Sequence, residues 1–214
     1  MKEPIEVLVI EKQVIKFYDE SDYSFNSSDN LFTYENIYLN GDTDVLTSII
    51  GIKFFEDNNL ISNCLIGAKG GGTGIHPNST LINLNGLVVC CSDTIFRLTI
   101  PTLDLEWKIK ADMTTCFEIF LLEKGYVIHG EMEITRLDKN GQIVWQRSGR
   151  DILVTPEGVN DFIVYDNYIL ATDWDYNRYK FDFNGLLLDE YKVKPLKIVS
   201  VEKGIVQKKW WNLW

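Results

Sequence analysis

The chain repeats itself at about forty residues, and that period constrains its fold more than any compositional property does. Three β-prone runs align: Leu87-Val88-Val89-Cys90-Cys91, Tyr126-Val127-Ile128-His129-Gly130 and Tyr168-Ile169-Leu170-Ala171-Thr172. Val88, Val127 and Ile169 are offset by 39 and 42 residues. A second run follows each (94–98, 133–138, 179–183), then a tight turn (Pro101-Thr102, Asn140-Gly141, Asn184-Gly185), then a third run (105–109, 142–145, 186–189). One more apolar segment precedes each unit (80–84, 117–122, 162–165), which makes four short strands per unit. Aromatic and β-branched residues dominate these runs, and no long window holds a helical period. Asn-Gly between such runs predicts a type I′ hairpin turn with φ > 0 at both central residues. Units of this kind cannot bury an apolar face alone, so they stack on their neighbours.

The pattern predicts an all-β, small β-propeller-like repeat fold of about 4–5 four-stranded units, in a single domain over 1–214. Residues 1–75 are less regular. Runs 5–10 and 14–18 read as a hairpin around Lys12-Gln13, 19–30 as an acidic surface loop, and 49–55 with 60–66 as a strand pair. The C-terminal runs 196–201 and 205–207 fall two strands short of a unit. The N-terminal hairpin is therefore expected to close the last unit and remove both sheet edges. That closure would bury Val7, Val9, Ile198 and Val206 and bring Trp210, Trp211 and Trp214 to the seam; the alternative for those tryptophans is partner contact.

Residues 136–145, Arg136-Leu137-Asp138-Lys139-Asn140-Gly141-Gln142-Ile143-Val144-Trp145, carry a likeness beyond the period. They resemble the repeat of the pyrroloquinoline-quinone-type propellers, a hydrophobic-Asp-x-x-Thr/Asn-Gly turn with Trp four residues after the Gly. Residues 98–107 repeat the pattern with one extra residue and no Gly; 181–189 keep the turn and lack the Trp. The resemblance covers roughly 80–192 and implies blade architecture, with Trp107 and Trp145 at equivalent positions docking between neighbouring blades. No quinone or calcium constellation accompanies it, so no cofactor is expected.

Charge narrows the partners. Against 31 acidic residues stand 21 Lys and Arg, a net −10 with pI near 4.7. Nucleic-acid binding requires clustered cations, so that class is excluded. No apolar run approaches a membrane span or a secretory h-region. The four cysteines (Cys64, Cys90, Cys91, Cys116) lack C-x-x-C and zinc spacing. Cys90 and Cys91 are strand neighbours whose side chains should point to opposite faces. Small buried thiols in a reducing compartment are expected, hence a cytoplasmic protein.

Two stretches could carry contacts. The run Gly67-Ala68-Lys69-Gly70-Gly71-Gly72-Thr73-Gly74-Ile75-His76-Pro77 follows a strand but opens no helix, so it matches neither phosphate-loop fingerprint. It reads as a wide connection passing close to neighbouring backbone, with Lys69, Gly71 and His76 as candidate ligand or partner contacts. His129 reads as a satisfied strand histidine, and a Cys116–His76 or Cys116–His129 pair would serve thiol chemistry only if the residues met in space. Glu131, Glu133, Asp173 and Asp175 are candidate acidic contacts, with Trp174 as the aromatic that the last two flank. Carboxylates flanking an aromatic can hydrolyse glycosides, whereas a solvated acidic rim needs no such chemistry. The function expected is a non-catalytic cytoplasmic binding protein, most concretely an immunity-type inhibitor of a basic toxin, with a basic protein as partner. The alternative is an enzyme or small-ligand binder using carboxylates at the axial opening of the propeller.

Overall fold

The computed structural model describes residues 2–84 and 86–195. Alternating and continuous apolar runs fold as short strands throughout, with one 3-10 turn at Pro77–Ser79. The first sheet contains β1 (Glu6–Ile10), β2 (Gln13–Asp19), β3 (Asn36–Asn40), β4 (Ser48–Glu56) and β5 (Asn59–Ala68), in the order β1-β2-β4-β5-β3. Only β3 runs parallel to its neighbour within it. Three four-stranded sheets follow, each ordered as its strands occur in the chain. They comprise β6 (Thr80–Asn83), β7 (Gly86–Cys91), β8 (Thr94–Thr99) and β9 (Leu105–Lys110); then β10 (Cys116–Leu122), β11 (Gly125–Gly130), β12 (Glu133–Leu137) and β13 (Ile143–Ser148); then β14 (Phe162–Val164), β15 (Ile169–Thr172), β16 (Asn177–Phe181) and β17 (Leu187–Lys192). Two compact units result, one ending at Gln146 and one beginning at Arg147.

In the first unit the second sheet is packed on both faces. Leu87, Val89 and Cys91 of β7 join Phe96 and Leu98 of β8 against Ile50, Ile52, Phe54, Cys64 and Ile66 of the first sheet. Val88 and Cys90 point the other way, with Ile95, and meet Cys116, Ile119, Tyr126, Ile128 and Leu137 of the third sheet. The continuous apolar run 86–91 is thus a strand buried on both faces, and Cys90 and Cys91 do face opposite ways. Fully burying each such aliphatic side chain stabilises by about 1.5–3 kcal/mol.

Register makes the repeat explicit. Val88 pairs with Arg97, Val127 with Arg136, and Leu170 with Lys180. The counterpart of Val127 is therefore Leu170, one residue beyond the Ile169 that the sequence alignment chose. Tyr126 and Tyr168 look alike, but Tyr126 pairs with Leu137 whereas the residue pairing with the corresponding Phe181 is Ile169. A slip of one residue exchanges the two faces, so burial fixes the register where similarity misleads.

The hairpin turns differ from the predicted type. Gly141 and Gly185 have φ of 76° and 81°, but Asn140 and Asn184 are not among the positive-φ residues. Asp138 accepts hydrogen bonds from the Asn140 and Gln142 amides, each at 2.8 Å, while Gly141 N–H donates to the Asp138 carbonyl. Asp182 does the same with Asn184, Leu186 and Gly185. An aspartate-capped turn with a single left-handed glycine replaces the type I′ form. Both-positive geometry occurs at Asp57 and Asn58, φ 48° and 65°, between β4 and β5.

Trp107 of β9 rests on the Gly141 turn of the next sheet, where a Cβ would come within 2.4 Å of the indole. Its ring lies 6.1 Å from that of Tyr126, whose hydroxyl accepts from Arg97 at 2.7 Å. Trp145 occupies the equivalent third position of β13 and is buried. The N-terminal hairpin is hydrogen-bonded into the first sheet, β2 pairing β4 from Gln13↔Glu56 to Asp19↔Ile50. Its expected partners at 196–207, and Trp210, Trp211 and Trp214, lie outside the described residues, and Val7 and Val9 are exposed.

Candidate functional site

In the first unit, the turns β7–β8 and β11–β12, the β9–β10 connection and the Gly-rich loop converge. A chain of backbone hydrogen bonds joins them: Asp93 N–H to Lys69 O, Ala111 N–H to Asp93 O, Gly71 N–H to Thr114 O, and Glu131 N–H to Thr115 O. At the centre sits Asp112, 1% exposed. Its Oδ1 accepts from the Thr114 and Thr115 amides at 2.6 and 2.9 Å, and its Oδ2 from Met132 and Glu133 at 3.0 and 2.8 Å. Gly130 leaves room for it, since a Cβ there would lie 2.2 Å from Oδ2. Lys69, Gly71, Glu131 and Glu133 are thus brought to one end of the unit. Burial raises the Glu133 carboxyl pKa, the Asp112 charge adds to this, and Lys110 opposes it. Gln146 donates to Glu133 at 3.2 Å.

The Gly-rich loop proves to be a connection stitched to its neighbours. Ser92 hydroxyl donates to Gly71 O at 2.5 Å, Thr73 N–H donates to Ser48, and Ser92 N–H donates to Thr73. Added Cβ atoms would reach the Thr114 carbonyl at Gly70 (2.3 Å) and the Thr115 hydroxyl at Gly71 (2.1 Å). Close backbone approach explains these glycines. The amides of Gly71 and Thr73 are engaged inside the protein and do not point at a phosphate.

The two histidines meet around one carboxylate. Glu118 on β10 bonds His129 Nδ1 at 3.0 Å through Oε2 and accepts from Asn78 Nδ2 at 2.9 Å through Oε1. His76 lies close enough for both groups to act on it electrostatically, and its ring hydrogen-bonds the Phe117 backbone. Burial pushes the His76 imidazole down to about 4. Burial is the largest single influence and works to raise the Glu118 carboxyl, but the bonds from His129 and Asn78 and the two nearby imidazoles together outweigh it, and the carboxyl sits below its ordinary range. Cys116 does not become a nucleophile: burial pushes its thiol well up, as it does those of Cys64, Cys90 and Cys91, and all four are free.

In the second unit the β15–β16 turn is built on Asp173, fully buried. Oδ1 accepts from the Asn177 backbone at 2.9 Å, and Oδ2 from Asn177 Nδ2 at 2.9 Å and Tyr179 OH at 2.7 Å. Burial acts to raise this carboxyl, but the bonds from Tyr179 and Asn177 prevail and hold it low. A glycosidase acid needs the opposite shift, and Asp173 is a turn anchor, not a surface contact. What it presents is Trp174, 43% exposed, and exposed Asp175. Trp174 N–H donates to Ile152 O, and Tyr176, at φ 63°, donates through its hydroxyl to Glu157 at 2.8 Å.

Several functional-looking groups carried no sequence signal. Buried Glu20 receives Lys2 at 3.0 Å and Tyr34 OH at 2.7 Å; Gly51 admits that hydroxyl, since a Cβ would lie 1.9 Å from it. Burial and then Glu20 raise the Tyr34 pKa strongly. Beside them is a shallow depression of about 330 Å³ lined by Asp22, Tyr23, Asp29 and Leu31. Among the described residues no group of three or more His, Cys, Asp or Glu is arranged to hold a metal ion, and no helix is long and apolar enough to cross a membrane.

No family model and no curated protein matches the chain. Solved structures do. KlHsv2 with its loop 6CD replaced by a Gly-Ser linker is 13% identical, with TM-score 0.50 over 92% of this chain and 56% of that one. The computationally designed Ika8 protein (11%, TM-score 0.49, 86% and 60% covered) and BamB from Moraxella catarrhalis (15%, 0.46, 86% and 63%) are also similar. The chain spans less than two thirds of each of these three. At such identity the likeness concerns fold alone, and with the successive four-stranded sheets it gives an all-β, β-propeller-like repeat protein.

Proposed function

We propose that this chain is a non-catalytic binding protein of the cytoplasm whose partner is a basic protein, and that it acts as an immunity-type inhibitor of a cationic toxin. Its repeat is of the pyrroloquinoline-quinone type, a reading supported by the seat of Trp107 on the Gly141 turn. The observation that carries the functional reading is the division of labour among carboxylates. Asp112 and Asp173 are buried and engaged by backbone and side-chain donors, and the turns they fix hold half-buried Glu131 and Glu133 in the first unit and exposed Asp175 in the second. Fixed carboxylates on a −10 protein steer a cationic partner and give charge complementarity without chemistry of their own. The free, buried thiols support a reducing compartment.

The test is retention of proteins from the source cell's lysate on the immobilised chain, followed by co-expression with whatever is held. The expected result is a basic protein that elutes as salt rises and whose toxicity the chain suppresses. Retention should fall for a Glu131→Gln, Glu133→Gln, Asp175→Asn variant. Equal retention by that variant, or none by the wild type at low salt, overturns the reading.

A further inference from the structure

We propose that Trp174 is the aromatic anchor of the partner-binding surface and that it takes an arginine or lysine side chain of the partner, held over the indole and paired with Asp175. The inference deepens the binding function proposed above and rests on it. Three aromatic side chains of the last described sheet are almost equally exposed, Trp174 and Tyr191 at 43% and Tyr165 at 42%. Tyr191 lies within β17 opposite Arg178, whereas Trp174 and Tyr165 occupy turns at opposite ends of the sheet. Their surroundings differ. Tyr165 stacks on Tyr168 at 4.5 Å, and Lys180 already lies over the Tyr168 ring at 4.1 Å. That end is supplied with a cation.

The Trp174 end offers carboxylates: Asp175 adjoins the indole in the chain, Glu157 is tied to Tyr176, and Asp151 precedes Ile152, the acceptor for the Trp174 amide. Its cations are Lys192 and Lys194, flanking the Val193 that donates to Tyr176 O, Arg178, bonded to Thr172, and Arg150, whose amide donates to the Tyr179 hydroxyl and whose guanidinium is already paired with Glu190 at 2.6 Å. The turn is rigid before any partner arrives, because Asp173 fastens it to Asn177 and Tyr179. Pre-organised, exposed tryptophan is the residue type most enriched among binding hot spots, and a cation over an indole is its best-suited charged contact. The equivalent turn of the preceding sheet repeats the alternation with Glu131-Met132-Glu133, again fixed by a buried aspartate.

The experiment titrates the ¹⁵N-labelled chain with a short alternating Arg-Gly peptide and, separately, a Glu-Gly peptide. Trp174→Phe identifies the Trp174 indole N–H signal by removing it. The expected result is a saturable shift of that signal with Arg-Gly only, weakened about threefold in Asp175→Asn and unchanged in Tyr165→Ala. No shift, or an equal shift with Glu-Gly, overturns the anchor. Lysate retention by Trp174→Ala separates the two readings. Wild-type retention that survives this variant overturns the anchor alone; absence of wild-type retention overturns the binding function itself. Both Trp174 variants keep the backbone bonds that define the turn, so they report on contact and not on folding.

Discussion

At the residue scale, the account turns on single aspartates that organise turns. Removing the buried Asp112 carboxylate leaves four amide donors without their acceptor, so Asp112→Ala should cost about 3 kcal/mol, read as a lower midpoint in urea unfolding. Asp112→Asn keeps the size but gives up the charge, and should fall between the two. His76 supplies a pH test. Its folded pKa, about 4, lies below the ordinary 6.5, so the unfolded chain binds a proton that the folded chain refuses. Its contribution is present above about 6.5, declines as pH falls, and is lost below about 4. The melting temperature should fall across that window, and His76→Gln should flatten the slope; an unchanged slope would contradict the assignment. The sequence marked Glu131, Glu133 and Asp173 as chemistry-bearing but gave no sign of Asp112. One aspartate between strands looks the same whether it binds amides or water, and only convergence of the turns separates the cases.

At the element scale, the strands and their four-fold grouping were legible because β-branched runs and turn residues recur with the period. The turn type was not, because Asn-Gly is compatible with both forms and the choice was made by Asp138 and Asp182, whose carboxylates cap the turn. Also hidden was a cation that recurs at one register position. Arg97 closes over Gly86, Arg136 donates to the carbonyls of Tyr126 (3.0 Å), Lys124 (2.8 Å) and Leu137, and Lys180 covers Tyr168. Arg136→Met should destabilise by about 1–3 kcal/mol, since it leaves buried carbonyls without donors. Trp107→Ala should cost roughly 2–4 kcal/mol, because it empties the seat between two sheets, and Gly141→Ala should also destabilise by intruding on that seat and straining φ. Chemical denaturation of these variants checks all three; a neutral Trp107→Ala would show that the indole does not join the sheets.

At the scale of the whole molecule, the period indicated the architecture, while the carboxylates that each unit presents on its own turns required the fold. Glu131 and Asp175 belong to different units, and each is placed by a turn of its own unit. The central claim is that turns fixed by buried aspartates present the carboxylates that meet a basic partner. Carbodiimide footprinting of carboxyl groups, with and without the partner retained from lysate, tests it most directly. Protection should fall on Glu131, Glu133 and Asp175, while Asp42, Asp57 and Asp189, exposed elsewhere, label equally in both states. Labelling of Glu131, Glu133 and Asp175 that is unchanged by the partner, or protection confined to the other three, would contradict the account.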